Sequence, residues 1–96
     1  MIAALVLFDT AGTLSLEDAT QRFNTTAPSY HGYPGLRAKT YLYAEDGREV
    51  GGFYLWESRA AAEALYTAAW RERVTQVYGV EPVVRYFEAP VVIENG

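Results

Sequence analysis

Apolar residues crowd the start of the chain, recur at helical spacing in two later stretches, and alternate with polar residues between them. Residues 2–8, "IAALVLF", are apolar at every position, which predicts a strand buried on both faces. Leu16, Ala19, Phe23 and Ala27 then follow at helical spacing. Ser15 stands where an N-cap belongs, Glu17 and Asp18 occupy the electropositive first turn, and Pro28 ends the helix. "APSYHGYPG" reads as a loop of Pro, Gly and aromatic residues.

The next stretch, "LRAKTYLYAEDGREVGGFYLWE", is two strands around Asp46-Gly47, a strong hairpin signal. A two-residue turn there pairs Tyr43 with Val50, Tyr41 with Gly52, Lys39 with Tyr54 and Arg37 with Trp56. These pairs share one face, which is aromatic and carries two cations. The other face is mostly aliphatic: Leu36, Ala38, Thr40, Leu42, Gly51, Phe53 and Leu55. Ser58 caps a second helix that runs to about Tyr78, with Gly79 as its stop. Its inner stripe is Ala62, Leu65, Tyr66, Ala69, Trp70, Arg73 and Val77, while Glu63, Thr67, Arg71 and Thr75 point outward. "VEPVVRYFEA" forms the last strand, and "PVVIENG" is an apolar tail.

This order, β-α-β-β-α-β, is the ferredoxin-like arrangement, an α+β fold with both helices on one side of a four-stranded sheet. The opposite sheet face carries large apolar side chains and cannot stay wet. Sheet-to-sheet dimerisation is therefore expected.

Composition narrows the function. The 96 residues make one domain, with 50% hydrophobic and 21% charged positions, as in an ordinary globular chain. Eight Tyr, four Phe and two Trp exceed what so small a core needs, and they suggest a lined cavity or an interface. A net charge of −4, with seven Arg and the single Lys39, leaves no basic stripe for nucleic acid. The absence of Cys removes disulfides, thiolate metal sites and thiol catalysis. The longest apolar run is too short to span a bilayer, and no signal-peptide pattern surrounds it, so no membrane association and a cytoplasmic location are expected.

"LVLFDTAGTLSLED", an apolar strand running into Asp9, resembles the opening of the haloacid-dehalogenase phosphatases, whose strand-end aspartate is a nucleophile. That fold needs a longer parallel sheet, a lysine after a later strand and a further acidic cluster. Here the one Lys lies inside the hairpin, and Asp18 and Asp46 are the only other aspartates. Asp9 to Gly12 is better read as a strand-end turn.

"PGLRAKTYLYAEDGREVGGFYLWESRAAAEAL" followed by "GVEPVVRYFEAP" resembles the small YdhR-type monooxygenases, within the antibiotic-biosynthesis-monooxygenase-like dimeric α+β barrels. Pro34-Gly35, Gly51-Gly52 and Gly79-Val80-Glu81 are its most specific pieces. The resemblance implies a homodimer whose sheets face each other, with a pocket in each protomer between sheet and helices. In the wider superfamily a Trp at the end of strand three often lines that pocket, and Trp56 holds the position. Relatives that degrade haem carry a His about ten residues later; here that residue is Tyr66, which argues against haem.

On this basis Arg37, Lys39, Tyr41, Tyr54 and Trp56 look into one cavity, with Tyr66 and Trp70 facing it from the second helix. The alternative is that these rings simply fill the core. His31 is the only histidine, the residue type that normally exchanges a proton near neutral pH, and is the default general base, or else a solvated loop residue. Asn24 could orient a carbonyl or dioxygen, or else be a helix-end polar residue. No His, Glu or Asp cluster has metal-ligand spacing.

The expected activity is cofactor-independent monooxygenation of an electron-rich aromatic, polyketide or quinol, with Arg37 or Lys39 stabilising the substrate anion and His31 as base. A non-oxidative cyclase or lyase on the same scaffold, or a non-catalytic dimer that binds a small apolar ligand, are the alternatives.

Overall fold

Burial alternates along the first strand, β1 (Ile2–Asp9), and sorts the sheet into two unequal faces. Ala4, Val6 and Phe8 are fully buried on one side, whereas Leu5 and Leu7 on the other are only half-covered. The computed structural model describes residues 1–96 and adds strands β2 (Leu36–Tyr43), β3 (Glu49–Trp56) and β4 (Val83–Glu88). Their order is β2-β3-β1-β4, with every neighbouring pair antiparallel. Helices α1 (Leu16–Thr26), α2 (Arg59–Leu65) and α3 (Ala68–Tyr78) cover the well-buried face. This is the ferredoxin-like α+β order, with its second helix in two pieces.

The break follows from local chemistry. Tyr66 leaves helical geometry at ψ 57°, and the Thr67 hydroxyl accepts from the Trp70 N–H, starting a new helix. Thr67, expected on the outer face of one long helix, is therefore an N-cap. The break also shifts the phase of the stripe. Past Thr67 the chain packs through Trp70, Val74 and Tyr78, while Ala69, Arg73 and Val77 are exposed. Gly79 stops α3 in the left-handed conformation, as its position predicts.

The Ser15 side chain caps α1 by accepting from the Asp18 N–H. Ala19 and Phe23 are buried, but Leu16 is exposed and Leu14 takes its place in the core. The helix ends at Thr26, two residues before Pro28, and the chain continues through a 3₁₀ turn, Ala27–Tyr30. Four residues expected in a loop are thus ordered, and the turn fixes Tyr30 over the sheet.

In the hairpin, the Gly47 N–H donates to the Ala44 carbonyl at 2.8 Å and the Ala44 N–H to that of Glu49 at 2.9 Å, so the connection is longer than two residues. The register is nevertheless as expected for Tyr43–Val50, Tyr41–Gly52 and Lys39–Tyr54. It fails at the far end. A β-bulge makes Arg37 the extra residue, so that Leu36 rather than Arg37 stands opposite Trp56. Leu36 turns toward the core and Arg37 is exposed, the reverse of the predicted faces.

Gly51 sets the closeness of the two central strands. A Cβ there would lie 1.8 Å from the Val6 carbonyl oxygen. On the uncovered face, Phe53, Val83 and Phe87 are exposed beside Leu5 and Leu7, and Val91 and Ile93 of the tail are exposed as well. Asp9 forms the expected turn: its carboxylate accepts from the Ala11 N–H at 3.0 Å, and the Thr13 N–H reaches the Thr10 carbonyl.

Candidate active site

A cavity of about 200 Å³ lies between the helices and the middle of the sheet. Val6, Phe8, Gly52 and Tyr54 form its floor, and the absence of a side chain at Gly52 keeps the centre open. Val74, Tyr78 and Trp70 of α3 close one side, and Arg22 and Thr26 of α1 the other. Tyr30 lies where the cavity meets a second, shallower groove of about 360 Å³ on the hairpin side, lined by His31 and Arg37 among others. Lys39 and Tyr41 also line both. The junction is therefore made of one amine and two phenols.

Lys39 sits in a cage of rings. Its Nζ lies 3.4 Å from the centroid of Tyr30, 4.0 Å from Tyr41 and 4.6 Å from Tyr54. Neither cavity contains an Asp or Glu. Burial pushes the amine from 10.5 down to about 7. Burial likewise raises the phenols of Tyr41 and Tyr54, and a hydrogen bond to Thr26 (2.6 Å) partly offsets the rise at Tyr41. Tyr78 is raised by burial against the opposing pull of Arg22, whose guanidinium lies 5.7 Å from its ring.

The structure divides the residues predicted from sequence. Lys39, Tyr41, Tyr54 and Trp70 meet at the cavity. Trp56 does not: it is fully buried, stacked on Tyr54 with centroids 6.0 Å apart, and its indole N–H donates to the Tyr66 hydroxyl at 3.1 Å. Trp56 and Tyr66 thus belong to the ring packing behind the cavity wall, the alternative reading of the aromatic face. Burial raises the Tyr66 phenol, and the bond from Trp56 only partly offsets this. Arg37, carried outward by the bulge, and His31, exposed after the 3₁₀ turn, line only the outer groove. Asn24 is exposed on α1 and lines neither space.

Arg22, Thr26, Tyr30 and Tyr78 line the cavity without having been singled out from sequence, and Arg73, read from sequence only as part of the inner stripe of the second helix, lines it as well. Arg22 and Thr26 flank Phe23 of the buried stripe, a place where a polar residue can border a cavity. Tyr30 carries no such signal, since only the 3₁₀ turn brings it over Lys39. No three His, Cys, Asp or Glu side chains come together in a metal-binding group.

A family model described as "Putative mono-oxygenase ydhR" matches residues 5–91. None of the curated proteins matches the chain in sequence. Among solved structures, a "putative antibiotic biosynthesis monooxygenase" from Deinococcus radiodurans superposes with a TM-score of 0.69 at 13% identity, covering 100% of this chain and 99% of that one. The ActVA-Orf6 monooxygenase of Streptomyces coelicolor, solved with the ligand nanaomycin D, gives 0.68 at 18% identity over 99% and 92%. A mutant of SnoaB, a cofactor-independent oxygenase from Streptomyces nogalater, gives 0.67 at 16% over 98% and 97%. At these identities the likeness establishes the fold.

Proposed function

The chain belongs to the YdhR mono-oxygenase family, and we propose that it oxygenates small electron-rich phenols, quinols or related polyketide rings in the cavity between sheet and helices, with no cofactor. The observation that supports this reading is the cavity itself: a ring-walled space with one amine at its mouth and no carboxylate. Such a wall favours a flat apolar substrate, and the cation or amine favours its anion. At about 200 Å³ the space is smaller than the roughly 300–1,000 Å³ that drug-sized ligands occupy, which suits one or two fused rings.

The chemistry demands little of the protein. A phenol loses its proton, and the phenolate passes one electron to dioxygen. The resulting superoxide and ring radical join at the carbon para to the oxygen, and the peroxide is protonated there. The para C–H bond then gives up its proton as the O–O bond breaks. The departing hydroxide takes that proton to leave as water, and a carbonyl remains, so a phenol and dioxygen become a quinone and water. The substrate supplies all four electrons. In this reading Tyr54, Tyr41 and Trp70 hold the ring, and a dry cavity keeps the anion from being quenched. Arg37 and His31, in the outer groove, hold a polar substituent that projects past Lys39. Two copies joined through the uncovered sheet face complete the protein, because Phe53, Val83 and Phe87 would otherwise meet water.

Oxygen uptake with 1-naphthol and with 2-methylphenol, both small enough for the cavity and free at the para carbon, tests the activity. Wild-type protein consumes dioxygen with at least one of them, and Val74→Trp, which fills the cavity from α3, does not. Tight binding of these compounds without oxygen uptake would favour a cyclase or a binding protein.

A further inference from the structure

We propose that Lys39 is the general base of this cavity, taking the phenol proton on its neutral amine and holding the phenolate as the ammonium it becomes; the assignment rests on the oxygenase reading above. The geometry suits both halves of the step. Nζ stands at the junction of the two cavities, with Tyr30, Tyr41 and Tyr54 around it. A phenol lying on Tyr54 places its hydroxyl against the amine, which accepts the O–H proton through its lone pair. The three ring faces then stabilise the ammonium, and the phenolate lies beside it as counter-charge.

The surroundings allow the amine to rest uncharged. From β2 and β3 it meets Tyr41 and Tyr54, and from the 3₁₀ turn Tyr30. The helices bring Arg22, Arg73 and Tyr78 to the same cavity, while Arg37 and His31 border the groove outside. No carboxylate in either space fixes the charge. Burial favours the amine and the ring faces favour the ammonium, so both forms are within reach near pH 7. His31, the base expected from sequence, is exposed and borders only the groove.

Lys39 is the only lysine in the chain, so protein labelled with ¹³C at lysine Cε gives one side-chain resonance to follow against pH. A midpoint between pH 6 and 8 is expected, and a midpoint at the ordinary lysine value of 10.5 would overturn the proposal. The second arm uses 4-nitrophenol, whose phenol and phenolate absorb at separate wavelengths. Bound to wild-type protein it ionises at lower pH than it does bound to Lys39→Met; the same ionisation midpoint in both proteins would also overturn it. A third arm separates a base from a fixed charge. Both Lys39→Met and Lys39→Arg lose about 10²–10⁴-fold in oxygen uptake, because arginine supplies the charge but accepts no proton. Rescue by Lys39→Arg would reduce Lys39 to a counter-charge. If wild-type protein ionises the bound probe yet consumes no oxygen, the oxygenase reading fails while the assignment of the base stands.

Discussion

The Nζ atom of Lys39 lies 3.4 Å from the centre of the Tyr30 ring, so a strand residue and a 3₁₀-turn residue together make the mouth of the cavity. The contact joins the edge strand to the end of α1, and it has a consequence for stability. With its amine held near 7, the folded chain binds fewer protons than the unfolded chain between about pH 7 and the ordinary 10.5. Stability therefore rises with pH through that window. The size of the rise follows the size of the shift, so water reaching part of the side chain and rings favouring the ammonium both act to make it smaller. Above about pH 10 the trend reverses, because unfolding frees the raised phenols of Tyr54 and Tyr66 to ionise. Urea unfolding at pH 7 and pH 9.5 shows the rise in wild-type protein and a flat response in Lys39→Met.

Trp56→Ala destabilises the protein by about 3–5 kcal/mol, the cost of removing a fully buried aromatic ring. The substitution also leaves Tyr54 unstacked and the Tyr66 hydroxyl without its donor. Denaturant unfolding measures the loss. A change below about 1 kcal/mol would show that the ring is not core and would return it to the cavity wall.

Adjacent glycines respond in opposite ways. Gly51→Ala drives a methyl into the Val6 carbonyl of the neighbouring strand and prevents folding or forces β1 and β3 apart. At Gly52 the methyl meets the Tyr54 ring at 3.2 Å and Lys39 Cε at 3.4 Å, side-chain atoms, and the Thr40 carbonyl oxygen no closer than 3.5 Å. Gly52→Ala therefore folds and binds a bicyclic phenol about tenfold more weakly, as one methyl's worth of cavity is lost. Circular dichroism and a ligand titration of the two variants distinguish these outcomes.

Phe53 stands opposite Leu5 on the uncovered face, in the middle strands of the sheet. Phe53→Glu puts a charge at the centre of the proposed dimer interface, where an unpaired buried carboxylate is costly. Sedimentation at micromolar concentration is expected to show a dimer for wild type and a monomer for the variant. A monomeric wild type would remove the proposed interface.

How far the sequence was legible depended on the range of the interaction. The order of strands and helices followed from periodicity, and three hairpin pairs followed from Asp46-Gly47. The bulge at Arg37 did not. It is set where the chain leaves Gly35, whose carbonyl accepts from the Glu57 N–H at 2.8 Å, a contact between residues far apart in sequence. Moving one residue out of register exchanged Leu36 and Arg37 between faces and removed a predicted cation from the cavity. The helix break at Tyr66 was hidden for a different reason. Ala, Leu and Glu before it are strong helix formers, and Thr67, the N-cap of the next helix, reads equally well as an outward residue of one long helix. Lys39, Tyr41 and Tyr54 were legible because alternation along paired strands is strict. Tyr30 was not, because a short 3₁₀ turn has no periodicity to read.

The central claim is that a small phenol reacts with dioxygen inside the cavity, and isotope incorporation tests it most directly. 1-Naphthol is turned over under ¹⁸O-labelled dioxygen with wild-type protein and with Val74→Trp, and the quinone is analysed by mass spectrometry. The account predicts one labelled oxygen atom in the product, the other in water, and no product above background from the cavity-filled variant. A product whose new oxygen comes from solvent, or equal labelled product from both proteins, would contradict it.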